Sequence, residues 1–135
     1  MLILLLAVGK VRPPYADDVE HYLKHLSPRA RVEHREVRDA NAAIAAIPER
    51  SFVVELDPDG KQLDSLEFAQ FVDDRQRDGR TVCFVVGGPD GIKLPRRDLG
   101  LSLGAMTLPH QMARVILLEQ LLRAHAILAG EPYHR

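Results

Sequence analysis

The chain has 135 residues, a formal net charge of −1 and one cysteine, Cys83. That length suits one compact domain over residues 1–135 and crowds two; apolar residues at 46% and charged residues at 27% exclude a disordered or low-complexity chain. One cysteine excludes an internal disulfide framework, and a charge near zero excludes a module that grips nucleic acid by bulk electrostatics, while leaving room for a local site.

The chain opens with the apolar run Leu2–Val8. It lacks a basic leader and a small-residue cleavage pattern and is too short to span a bilayer, so it reads as a buried strand of a cytoplasmic protein. Tyr15–Leu26 places Val19, Tyr22, Leu23 and Leu26 at helical spacing between Pro14 and Pro28. Val32–Val37 is mostly polar and reads as an edge strand. Asn41–Ile47 reads as a short helix ended by Pro48. Phe52–Leu56 and Thr81–Val86 are unbroken apolar runs, the pattern of strands covered on both faces in a parallel sheet. Between them, Leu63–Arg77 reads as a helix. Asp64 and Glu67 form a capping box, Leu63 can staple against Phe68, and Gly79 stops the helix. The alternation predicts an α/β domain with a mostly parallel sheet flanked by helices.

Five of the nine glycines cluster soon after Val86, at 87, 88, 91, 100 and 104. Loops at the carboxyl ends of parallel strands are where α/β proteins bind ligands. Val85–Gly91 is neither a P-loop nor a dinucleotide fingerprint; it is a ligand-approaching turn or simply a tight one. Ser102–His110 is a loop rich in usable backbone donors and acceptors that leads into a helix from about Gln111 to Ala129. The apolar residues of that helix cover almost its whole circumference, so it must be buried nearly all round. A homodimer interface explains this best; burial inside one subunit is the alternative. The six histidines show no metal-ligand spacing and are expected at the surface; His21 and His25 share a helix face. Glu119 and Arg123 are spaced for an i,i+4 ion pair. The tail Pro132–Arg135 suits RNA, with a ring to stack and cations for phosphate, or is a frayed terminus.

In combination these residues resemble the ribosomal RNA large subunit methyltransferase H family of the SPOUT superfamily. The matching segments are Leu6-Ala-Val-Gly-Lys10, Val86-Gly-Gly-Pro-Asp-Gly91, Leu101-Ser102 through Met106-Thr-Leu-Pro-His110, Arg114-Val-Ile-Leu-Leu-Glu-Gln120 with Arg123-Ala124, and Pro132-Tyr-His-Arg135. The resemblance spans essentially the whole chain and is densest after Thr81. It implies a SPOUT-type α/β fold with a C-terminal trefoil knot, S-adenosyl-L-methionine bound in the knot, and a homodimer. It also implies methylation of N3 of pseudouridine 1915, in helix 69 of 23S rRNA, on the assembled ribosome, without metal or membrane. By position it implies a cofactor site of Leu56, Gly87, Leu103, Gly104, Ala105, Met106, Thr107 and Leu108. Arg123, Tyr133, His134 and Arg135 fall on the RNA, with His110, Arg123 and His134 as candidates for the proton step. Asp90 is a weaker candidate. The alternative is a non-catalytic ribosome- or RNA-binding relative. The chain departs from the family in a short stretch between Val37 and Ser51, in Leu122 where an aromatic is usual, and in Gly104 where serine is common. Residues 81–135 carry a net +2 against −3 for residues 1–80. The expected RNA cations therefore include Arg114, Arg123 and Arg135, too few to hold RNA unaided.

Overall fold

A computed structural model describes residues 1–135. The elements run β1 (Leu2–Val8), α1 (Tyr15–Leu26), β2 (Arg31–Val37), α2 (Ala40–Ala46), β3 (Phe52–Gln62), α3 (Ser65–Asp78), β4 (Val82–Val86), β5 (Leu99–Ser102) and α4 (His110–Leu128). The strands form one sheet in the order β2-β1-β4-β3-β5, and every pairing is parallel. The polar strand β2 lies at an edge, where its alternating chemistry is tolerated.

Alternation along the strands sorts the core into two layers. Ile3, Leu5, Ala7, Val54, Val82, Phe84 and Val86 face α1, α3 and α4. Leu4, Leu6, Val53, Cys83 and Val85 face the other way, against Ala43 of α2 with Ile92 and Leu94 beside it. Burial pushes the Cys83 thiol up to about 12, which leaves it inert. The short 38–50 stretch thus suffices for a small helix over the thinner layer.

Local signals set the element ends. The Asp64 carboxylate accepts from the Glu67 amide at 2.8 Å, and the Glu67 carboxylate accepts from the Asp64 amide at 2.9 Å. Gly79 ends α3 with φ of 83°, a conformation glycine adopts without cost. Asp39 caps α2 through the Ala42 amide at 2.8 Å.

Two features depart from the sequence expectation. Strand β3 runs on to Gln62 instead of stopping at Leu56, and β5 is a strand where only glycine-rich loop was expected. Each depends on the other. The pairing register shifts between Leu56 and Lys61, and both residues lie opposite Leu101. The shift bulges Asp57 and Pro58 out of the ladder. The chains then close again at Gly60, where a Cβ would lie 2.5 Å from the Gly100 carbonyl carbon. Neither feature has an apolar run, because tertiary contact creates both.

Helix α4 lies against α1 and α3 over the sheet. Leu117, Leu118, Leu121 and Leu122 are buried, while Val115, Ile116 and Ile127 are half-buried. One chain therefore covers most of this helix, so its all-round apolar pattern does not by itself require a second subunit. Leu122 fills the core here. The smaller residue costs no surface stacking group, because the position is turned inward.

Gly60→Ala should lower the unfolding free energy by about 1–3 kcal/mol, since backbone blocks the added methyl. Urea titration followed by circular dichroism measures this.

Candidate active site

The carboxyl ends of β3, β4 and β5 converge on a cavity of about 400 Å³. Leu56, Asp57 and Pro58 enter it from the β3 bulge, and Val86 with Gly87, Gly88 and Gly91 from the turn after β4. Leu101, Leu103, Gly104, Met106 and Leu108 come from β5 and the loop beyond it, and Pro109, His110 and Ala113 from the start of α4. Of the eight positions expected to hold a cofactor, six line this space. Ala105 and Thr107 are exposed and do not.

The glycines have specific reasons to be there. The turn after β4 closes on itself through the Gly91 amide, which donates to the Gly88 carbonyl at 2.9 Å. A Cβ on Gly87 would lie 3.0 Å from the Gly91 carbonyl carbon and 3.1 Å from Ile92. Gly104 has φ of +139°, which would strain the serine common in the family. The Ser102 hydroxyl donates to the Gly104 carbonyl at 2.9 Å and fixes the loop at its root.

Side chains pin the walls. Arg97 meets Glu55 at 2.6 Å and Asp57 at 2.8 Å, and its guanidinium holds the Asp57 carboxyl below its ordinary value. Glu55 also accepts from the Leu94 amide at 3.1 Å. Arg96 reaches the carbonyls of Pro48, Glu49 and Ser51. These bonds tie the segment between β4 and β5 to β3 and to the turn that precedes it.

Arg114 is not available to RNA. It is fully buried, and its guanidinium meets Glu36 at 2.9 Å and donates to the Gly9 carbonyl at 3.0 Å. His34 lies 3.5 Å away, and burial together with this cation pulls its imidazole down, so it stays neutral. His125 is also buried, contrary to the expectation of surface histidines. Its ring nitrogens meet the Leu121 carbonyl at 2.9 Å and the Gln76 amide at 3.2 Å. His21 and His25 pair on α1 with ring centroids 4.4 Å apart.

The tail is folded back on α4. Gly130 turns with φ of +71°, and the Glu131 amide donates to the Ala126 carbonyl at 2.9 Å. Glu131 pairs with Arg29 at 3.0 Å. Glu119 holds Arg123 at 2.8 Å; Arg123 lies 5.0 Å over the Tyr133 ring and 3.0 Å from Nδ1 of His134. A guanidinium only donates, so Nδ1 accepts and the His134 proton sits on Nε2. Arg135 is exposed and makes no ion pair.

The site residues thus fall into two groups. His110 starts α4 at the cavity, whereas Arg123, Tyr133 and His134 sit near its other end, roughly 20 Å along the helix at about 1.5 Å per residue. The expected clustering of tail and cofactor loop does not occur within one chain.

A family model described as "Predicted SPOUT methyltransferase" matches residues 1–134. Among curated proteins, the ribosomal RNA large subunit methyltransferase H of Carboxydothermus hydrogenoformans is 41% identical over the whole of both chains. The protein of that name from Zymomonas mobilis is 41% identical over all of this chain and 99% of its own. Its namesake from Solidesulfovibrio magneticus is 43% identical over 96% of each.

Glu36→Ala leaves the buried Arg114 without its carboxylate and should cost about 3 kcal/mol of stability. A urea midpoint within error of the wild type would show that the pair is not structural.

Proposed function

The chain belongs to the SPOUT methyltransferase family, with the ribosomal RNA large subunit methyltransferase H proteins as relatives, and on that premise we propose that it methylates N3 of pseudouridine 1915 in helix 69 of 23S rRNA, on the assembled cytoplasmic ribosome, with S-adenosylmethionine as donor. The observation that carries this reading is the cavity at the strand ends, with His110 at its rim.

The cavity suits that donor in size and lining. About 400 Å³ of space is walled mostly by aliphatic side chains and by the backbone of the glycine turn and of the loop after β5. Leu56, Leu101, Leu103 and Leu108 would hold a flat base, and the loop backbone would supply the donors and acceptors its edge requires. Gly87 lets the turn pass close by. The family's trefoil knot is part of this reading. Bound there, the donor supplies a methyl group on a sulfonium, already activated for transfer.

The chain's own residues then have three tasks. They must position the base, remove its N3 proton and stabilise the resulting negative charge. His110 lines the cavity and its ring makes no hydrogen bond to the protein, which makes it the candidate for the proton step. His134 presents Nε2–H while Arg123 occupies Nδ1, so it serves as a donor. Arg123, held by Glu119, supplies positive charge for the anion. Burial and Glu119 push the Tyr133 phenol up, so it remains neutral and available to stack.

These tasks require the two groups to meet, and one chain keeps them at opposite ends of α4. A homodimer in which one chain's cavity faces its partner's tail resolves this. Met106, 84% exposed on the cavity loop, is an apolar group that such contact would cover. No helix is long and apolar enough to cross a membrane, and no cluster of three or more His, Cys, Asp or Glu is placed to hold a metal ion.

Titration calorimetry with S-adenosylmethionine should show saturable binding, at least tenfold weaker in Gly87→Val. A wild-type chain that binds ribosomes but not the donor would be a non-catalytic relative. Mixing Gly87→Val and Arg123→Ala chains, each inactive alone, should restore about a quarter of wild-type methylation through mixed dimers. No recovery would contradict a shared site.

A further inference from the structure

The loop between β1 and α1 stands beside the cavity and is held more firmly than a connection requires. Gly9 turns it with φ of +91°, and the Gly9 amide donates to the Val37 carbonyl at 2.8 Å. The Gly9 carbonyl accepts from Arg114 at 3.0 Å. The Val11 amide donates to Glu36. Gln111 takes the next two groups. Its side-chain nitrogen donates to the Lys10 carbonyl at 3.1 Å, and its oxygen accepts from the Arg12 amide at 2.8 Å. The Arg12 carbonyl accepts from the amides of Tyr15 and Ala16.

The backbone is thereby fixed while two cationic side chains stay free. Lys10 and Arg12 are exposed, and neither makes an ion pair. Arg96 and Arg97, at the β3 side of the cavity, are by contrast bound to Asp98, Glu55 and Asp57. The loop is close to the site on two sides. Gln111, which clasps it, follows His110 in α4, and a Cβ on Gly88 of the cavity turn would lie 3.2 Å from Val8.

We propose that Lys10 and Arg12 form a preset contact for RNA phosphates at the rim of the cavity, with Gln111, Glu36 and Arg114 holding the loop that carries them. The proposal rests on the reading of this chain as an rRNA methyltransferase and adds a substrate-binding element to it. Fixing the backbone in advance removes ordering cost from binding, and two neighbouring cations on a rigid turn suit consecutive phosphates of a folded RNA. It also places RNA-binding charge in the half of the chain whose net charge is negative.

The test compares wild type, Lys10→Ala/Arg12→Ala and Lys10→Arg/Arg12→Lys in methylation of assembled ribosomes from cells lacking the gene, across a series of salt concentrations. Calorimetry with S-adenosylmethionine runs in parallel. The alanine pair should raise KM for ribosomes about tenfold, with kcat and donor affinity near wild type. It should flatten the dependence of log KM on log salt by about 1.5, as loss of two phosphate contacts requires. The exchanged pair, which keeps both charges, should restore KM. Unchanged KM and salt dependence in the alanine pair would overturn the proposal, as would a loss of donor affinity with no change in salt dependence. If wild type binds the donor but methylates no ribosome, the reading of function fails first, and this element falls with it.

Discussion

Arg114 lies one turn into α4 with its side chain wholly withdrawn from water, and its guanidinium meets Glu36 of β2 at 2.9 Å and the Gly9 carbonyl at 3.0 Å. Burying a cation is costly, and here the cost is offset by a carboxylate and by backbone oxygens at the end of β1. The pair therefore fixes the start of α4 against the carboxyl ends of β1 and β2. From that point the helix delivers His110 to the cavity and Gln111 to the loop after β1. Its other end carries Arg123, under the folded-back tail.

The cavity has a second dependence, on backbone approach. Gly60 allows β3 to touch the backbone of β5 where a side chain would forbid it, Gly100 leaves room for the Arg97 guanidinium, and the register shift beside them turns Asp57 and Pro58 inward. In the turn after β4, Gly87 permits a similar close approach and Gly91 turns with φ of +73°. The walls thus combine aliphatic side chains with the main chain of these turns, and ion pairs such as Arg97 with Glu55 hold them in place. Walls pinned in this way suit a reaction governed by positioning.

Much of this was legible in the sequence. The apolar runs at Leu2–Val8 and Thr81–Val86 marked central strands because burial on both faces leaves no alternation. Asp64, Glu67 and Gly79 marked the ends of α3 because capping is local chemistry. The glycine turn and the loop after Ser102 pointed to the cavity. Strand β5 was not legible, since Leu99–Ser102 has neither length nor pattern and becomes a strand only by pairing with β3. Asp57 was missed for the same reason. The buried states of Arg114 and His125 were hidden because their partners, Glu36 and Gln76, lie far away in sequence. The separation of His110 from Arg123 was implicit in the length of α4, although the resemblance placed them in one site.

If this cavity and tail together methylate ribosomal RNA, the mark is carried by the rRNA itself. The most direct measurement is mass spectrometry of nucleosides from 23S rRNA helix 69, isolated from cells with and without this gene. A pseudouridine heavier by one methyl group, located at N3, should disappear with the gene and return when the gene is restored. A helix 69 pseudouridine with the same methylation in both cells would contradict it.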